Sequence, residues 1–286
     1  MKYLSEAKGK NGISAKVVCA SVSSVGKKLT TLELRYPRFI HSEFMTHRLF
    51  SRNAASSRAI PVSKVIDQVV NNPVIPVHFG LNQSGMQASD DQVELSESLE
   101  WWLEASRNAV WSAEDAIKLN LHKQISNRIL EPWQFITTLV SATEWDNFFA
   151  QRISPAAQPE IQELAKCMKQ AMNEAEYRKV GWHMPYITYK ERTTMSDINA
   201  RKLSVARCCR VSYNNQGSDK FSIDDDIKRY DSLLEAGHWS PFEHVAQSLS
   251  SEKIRSGNFN GWMQYRNIVQ VVKCFYPVDL DYLDYV

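Results

Sequence analysis

Apolar and polar positions alternate from Lys28 to Arg35, with Thr30, Leu32 and Leu34 on one side. A period of two predicts a strand with a buried face. Residues 16–21 read as a second strand, and Pro37 closes the first. Ser42 and Glu43 then open a short helix predicted to run to Phe50. The small polar stretch 51–57, closed by Arg58 and Pro61, reads as a loop, and residues 62–70 as a helix. Residues 71–93 carry Pro73, Pro76, Gly80 and Gly85, so an irregular connection is expected.

Downstream the period changes to 3.6. Leu95, Leu99, Trp102, Ala109, Ala113 and Ala116 recur at three- and four-residue steps, predicting a long helix over 94–129. Residues 133–150 are expected as a second helix. Pro159 starts a third, with the stripe Ile161, Leu164, Met168, Met172 and Ala175. Helices are predicted over 198–211 and 224–236. The latter has acids at its start and Gly237 after its end, matching the helix dipole and the C-cap. A strand over 244–250 and a last helix over 259–269 complete the reading. The expectation is one α+β catalytic domain over 1–286: an antiparallel sheet with helices packed on it and a long helical middle segment, about 94–180.

Composition narrows the chemistry. The 286 residues include 10 glycines and no G-x-G. That argues against the dinucleotide fingerprint and the P-loop, where backbone must approach phosphate closely. A net charge of +2 points to neither nucleic acid nor a membrane surface. No apolar run nears the roughly 18–20 residues of a membrane span, and the first six residues lack the apolar core of a signal peptide. The cysteines, Cys19, Cys167, Cys208, Cys209 and Cys274, form no C-x-x-C. Reduced thiols, a cytoplasmic setting and no metal site are expected.

Three segments hold candidate chemistry. Between Arg35 and Lys64 stand six basic residues and one acid, Glu43. They interleave with His47, Ser51, Asn53, Ser56 and Ser57. This is either a solvated basic face or an anion site, since arginine forks and hydroxyls suit phosphate oxygens. Residues 237–244 read Gly-His-Trp-Ser-Pro-Phe-Glu-His. The two histidines and the glutamate match no defined metal spacing and otherwise serve as hydrogen-bonding groups. Asn147 and Arg152 lie five apart on a predicted helix. They point in directions about 140° apart, toward different ligands or different ends of one.

Together these segments resemble the flavin-dependent thymidylate synthases. That family carries R-H-R-x-x-S-x-N-E-x-S-x-R. Residues 46–58 keep His47, Arg48, Ser51, Asn53, Ser56 and Arg58, while Thr46 replaces the first Arg and Ala54 the Glu. The family's G-H-x-(S/T)-P-F-E-H is matched throughout by residues 237–244, after an A-R-V-S-Y-like stretch at 210–213. Its N-F-x-x-x-R and A-Q-x-E-I are matched at Asn147 to Arg152 and Ala157 to Ile161, and its Arg-Ile/Val pair at Arg128-Ile129. The family order is reversed, so the chain resembles a circularly permuted member. Its two ends carry overlapping strand-then-helix copies, residues 28–50 and 243–268.

The resemblance implies methylation of deoxyuridylate to thymidylate. It also implies FAD reduced by NADPH, methylenetetrahydrofolate as one-carbon donor, and a homotetramer with shared sites. By similarity, Arg152 is the catalytic residue. Ser56, Arg58 and Arg128 bind substrate, joined by Gln264 and Arg266 as replacements for the groups lost at Glu43 and Thr46. His47, Arg48, Ser51, Asn53, Asn147, His238 and Ser240 bind the flavin. The departures at Thr46 and Ala54 leave two alternatives. One is a related flavoenzyme acting on deoxycytidylate or transferring a hydroxymethyl group. The other is a non-catalytic nucleotide- or flavin-binding relative.

Overall fold

The computed structural model describes residues 3–213 and 222–275. Its main sheet contains β1 (Ser5–Lys8), β2 (Ser14–Val22), β3 (Lys28–Pro37), β4 (Ser51–Ala54) and β5 (Phe135–Ala142), in the order β1–β2–β3–β5–β4. Every pairing along this path is antiparallel, and β6 (Arg178–Lys179) adds a short parallel contact to β2. The fold is α+β.

β3 is covered on both faces. Leu32, Leu34 and Tyr36 pack with Ile161, Leu164 and Met168 of the Pro159–Glu174 helix. Thr31 and Glu33, on the opposite face, bond to His183 and Tyr186. The second half of the chain therefore covers the face that the first half leaves open. It supplies β7 (Trp182–His183), β8 (Ala246–Ser248), β9 (Arg255–Ser256), β10 (Phe259–Asn260) and β11 (Trp262–Gln264). These form a β11–β8–β7 sheet and a β9–β10 pair.

A buried polar chain crosses this junction. His183 Nδ1 lies 2.8 Å from Ser21 Oγ, and its Nε2 lies 2.8 Å from Thr31 Oγ1. Thr31 Oγ1 lies 2.5 Å from Ser141 Oγ, which lies 2.8 Å from His244 Nδ1. Three hydroxyls of the main sheet thus bind two imidazoles of the second half.

Several expectations need correction. Residues 133–150 are not one helix: β5 occupies their first half, and a helix, Asp146–Arg152, follows. Ile136, Thr137, Thr138 and Val140 are β-branched, and β3 and β4 flank them on both edges. The middle of the chain is accordingly not continuously helical. Residues 51–54, expected as loop, form β4 by pairing with β5. The short helix spans only His41–Phe44. The long helix ends at Lys118, with Asn120 at φ 56 turning the chain, and a short helix and a 3-10 turn replace its last part. The final helix begins at Tyr265, because Gly261 (φ 71) turns β10 into β11.

The helices Val62–Asn71, Pro159–Glu174, Asp197–Cys209 and Ile223–Glu235 stand within a few residues of expectation. Gly237, at φ 67, ends the last of these. His238 N donates to Leu233 O at 2.9 Å and Gly237 N to Leu234 O at 3.4 Å, a Schellman cap. A Cβ there would meet only Trp239, at 3.7 Å, so the cost of a side chain is conformational. Gly237→Ala is expected to lose about 1 kcal/mol of stability, read by urea unfolding. Among the described residues no helix is long and apolar enough to cross a membrane.

Candidate active site

The register of β4 and β5 places Ser51 opposite Ser141. In an antiparallel pair, the residues before 51 and those after 141 then emerge at one end of the sheet. There Phe44, Phe50, Trp145 and Phe148 pack ring against ring. His47 stands on this floor, edge-on to Phe148 at 4.8 Å between centroids. Arg52 Nη1 donates to the carbonyls of Met45 (2.7 Å) and His47 (3.1 Å), fixing the turn between the short helix and β4.

Arg152 closes the Asp146–Arg152 helix and reaches back to this turn. Its Nε donates to His47 Nε2 at 2.9 Å, and its Nη1 donates to Glu43 Oε1. His47 is therefore an acceptor at Nε2 and carries its proton on Nδ1. Burial, and then the cations Arg152 and Arg52, push its pKa down to about 4, so the ring is neutral at pH 7. This is consistent with its role as acceptor.

His47 also lines a cleft of about 1000 Å³ with Arg48, Asn147, Trp145, Lys27 and Lys28. Arg48 and Asn147 are exposed on it. Glu43 and Arg152 are not among its lining residues, and His47 joins them to it. Four cations, Lys27, Lys28, Arg48 and Lys169, outnumber the carboxylates Glu144 and Asp146 on it. Space of this size, with an aromatic wall and a positive balance, suits a large planar anionic ligand.

The other expected site residues lie elsewhere. Ser51 and Asn53 are buried at the junction of the two halves. Ser51 Oγ accepts from Gln264 Nε2 at 2.9 Å. Asn53 Nδ2 donates to Cys208 O at 2.8 Å, and its Oδ1 accepts from Ser212 Oγ at 3.0 Å. Gln264 is itself buried, and Arg266 pairs with Glu243. Ser56 and Arg58 line a separate hollow of about 330 Å³ with His122, Gln124, Ser212 and Tyr213. Arg128 is exposed and pairs with Glu131 at 2.8 Å. His238 and Ser240 are exposed just before and at the start of the Ser240–His244 3-10 turn. That turn packs on β4. Its histidines and glutamate do not converge: His244 is buried on Ser141, Glu243 holds Arg266, and His238 faces solvent.

Three contributors were not singled out as site residues in the sequence. Glu43 stood there as a helix opener, as the one acid of the basic segment and as a departure from the family, with no role at the site, yet it holds Arg152. Lys27 and Lys28 reach the cleft from the start of β3; their adjacency was the available signal.

Residues 25–176 match the family described as thymidylate synthase complementing protein. The chain belongs to this family. The enzyme is thus a thymidylate synthase-like methyltransferase, and membership implies a flavin cofactor. The matched span runs through β3, β4, β5 and Arg152, and residues 237–244 lie outside it. A solved structure of the UMP/dUMP methylase PolB from Streptomyces cacaoi, bound with 5-Br UMP, is also similar. The likeness covers 58% of this chain and 91% of that one, with 16% identity and a TM-score of 0.48. No curated protein matches this chain in sequence.

Proposed function

We propose that this member of the family methylates C5 of deoxyuridylate, giving thymidylate. Methylenetetrahydrofolate donates the carbon, and FAD, reduced by NADPH, is the redox cofactor. The observation that carries this reading is Arg152, held by His47 at the edge of a cationic, aromatic-walled cleft. Bound flavin supplies the redox chemistry. The chain's own residues bind, orient and stabilise charge. Arg152 takes a carbonyl of the pyrimidine and stabilises the negative charge that develops when C5 acts as nucleophile. A guanidinium stays protonated throughout. Arg48, His47 and Asn147 face the flavin from the cleft wall.

Ser56 and Arg58 hold the substrate phosphate. They open on a different hollow from the cleft, which fits a site shared between copies of a homotetramer. Residues 237–244 pack on β4 from the far end of the chain, which supports a circularly permuted arrangement. In the free protein Gln264 is engaged with Ser51, and Arg266 with Glu243 and Gln270.

The test is direct. The purified protein is expected to be yellow, with a flavin absorption spectrum. It is expected to release tritium from C5-labelled deoxyuridylate when given methylenetetrahydrofolate and NADPH. A colourless protein, or no release, overturns the reading. Release from labelled deoxycytidylate alone replaces the substrate.

A further inference from the structure

Arg152 has three guanidinium nitrogens. Nε is bonded to His47 and Nη1 to Oε1 of Glu43. Nη2 has no partner among the described residues, and neither has Oε2 of Glu43. The two side chains are 18% and 28% exposed, so a ligand can reach both. A free donor and a free acceptor are thereby linked through one ion pair. The carboxylate accepts only, and the guanidinium donates only.

We propose that Glu43 selects the base, by requiring a ring N–H directly beside the carbonyl that Arg152 takes. This rests on the methylase reading above. In this arrangement Oε1 stays on the guanidinium and the free oxygen takes the ring atom next to that carbonyl. In uracil, N3–H lies between two carbonyls, so the pair fits at either one. Neutral cytosine has one carbonyl, C2. It is flanked by N1, which carries the sugar, and by N3, which carries a lone pair. Oε2 would face that lone pair, acceptor against acceptor, unless N3 took up a proton. A site that hydrogen-bonds a substrate N–H rejects an analogue lacking it, because its own polar group is left unpaired. A glutamine at 43 would remove the requirement: with its oxygen on Arg152, its NH2 presents a donor where the carboxylate presents an acceptor.

The experiment is calorimetric binding of deoxyuridylate, deoxycytidylate and 3-methyl-deoxyuridylate to the purified protein, with tritium release measured in parallel. Wild type is expected to prefer deoxyuridylate over both others by about tenfold or more at pH 7.5. Deoxycytidylate should bind with uptake of a proton, seen by varying the ionisation heat of the buffer. Glu43→Gln is expected to weaken deoxyuridylate binding and shrink or reverse its advantage over deoxycytidylate, because the amide has one acceptor oxygen to share between Arg152 and N3–H. Glu43→Asp, which keeps the acceptor, should retain more of the preference. The 3-methyl analogue tests the idea on wild type alone, should the variants fail to fold.

Equal or tighter deoxycytidylate binding, as the N3 and 4-amino pair of cytosine would give, overturns the proposal. So does a preference that Glu43→Gln leaves unmoved, or full binding of the 3-methyl analogue. Selective binding without tritium release overturns the methylase chemistry and leaves base selection standing. Release with an unmoved preference does the reverse. No binding of any of the three overturns both.

Discussion

Arg152→Ala is expected to lower kcat for deoxyuridylate by about 10²–10³-fold, the usual cost of removing one donor aimed at developing charge. The thermal midpoint should move by only a few degrees. The reason is the placement of the side chain: it is 18% exposed, and Glu43 beside it is 28% exposed. Solvent can satisfy the carboxylate once the guanidinium is gone, so no charge is left buried alone. That separates this change from breaking a buried ion pair, which destabilises strongly. The variant carries a second readout. The Arg152 charge is one of the causes, after burial, that holds the His47 pKa at about 4. Removing it should move that pKa up, toward the ordinary histidine range, as followed by NMR titration. Unchanged turnover removes the assigned role of Arg152. An unmoved His47 removes the electrostatic contact.

The sequence disclosed the helices better than the sheet, for physical reasons. Pro159–Glu174 has a proline at its first turn and one apolar face, so a local pattern suffices to define it. Ile223–Glu235 is bracketed by its Ser222 capping box and by Gly237. β5 has no such signature. Six of its eight residues are buried and both its edges are paired, so inward and outward positions do not alternate. A short apolar run of this kind reads equally as helix. β4, Ser-Arg-Asn-Ala, has no strand propensity at all, and exists because β5 offers it a partner.

The site divides in the same way. His47, Arg48, Asn147 and Arg152 were legible through a pattern of residue types, and the structure gathers them at one end of the β4–β5 pair. The Glu43–Arg152 contact spans 109 positions and leaves no local trace. Ser51 and Asn53 belong to the same pattern, yet they bond to Gln264, Cys208 and Ser212 at the junction. A buried polar group needs a partner whether or not a ligand is near. A motif of small polar residues therefore marks a site and a seam alike.

That seam makes the protein acid-sensitive. Stability is expected to fall by about 3 kcal/mol between pH 7.5 and pH 5.5, through His183 and His244 alone. Both rings are fully buried. Burial pushes the His244 pKa down to about 3. Burial, then the charges of Arg192 and His244, hold His183 well below its ordinary value. The hydrogen bonds require the neutral forms. With Nδ1–H of His244 donating to Ser141, Ser141 donates to Thr31 and Thr31 to His183 Nε2. His183 Nδ1–H then donates to Ser21. Each shared hydrogen is used once, and the atom left over is His244 Nε2, buried and without a partner among the described residues. In this tautomer it is a bare lone pair, less costly to bury than an unbonded N–H. A proton on His183 Nε2 would meet the Thr31 hydroxyl hydrogen and force the chain to reverse. In the unfolded chain both imidazoles titrate near 6.5. Below that value the unfolded state gains two protons that the folded state refuses. The stabilisation is therefore complete above about pH 6.5 and is lost as the pH falls toward the folded values. Urea midpoints at the two pH values measure it. Replacing both histidines by glutamine should remove this part of the dependence, at some cost in stability at pH 7.5, leaving the share of His41 and His47, whose pKa values burial also lowers to about 4. A wild-type profile that is flat from pH 7.5 to 5.5 would mean that these imidazoles are not held neutral, and that the seam is ordered in some other way.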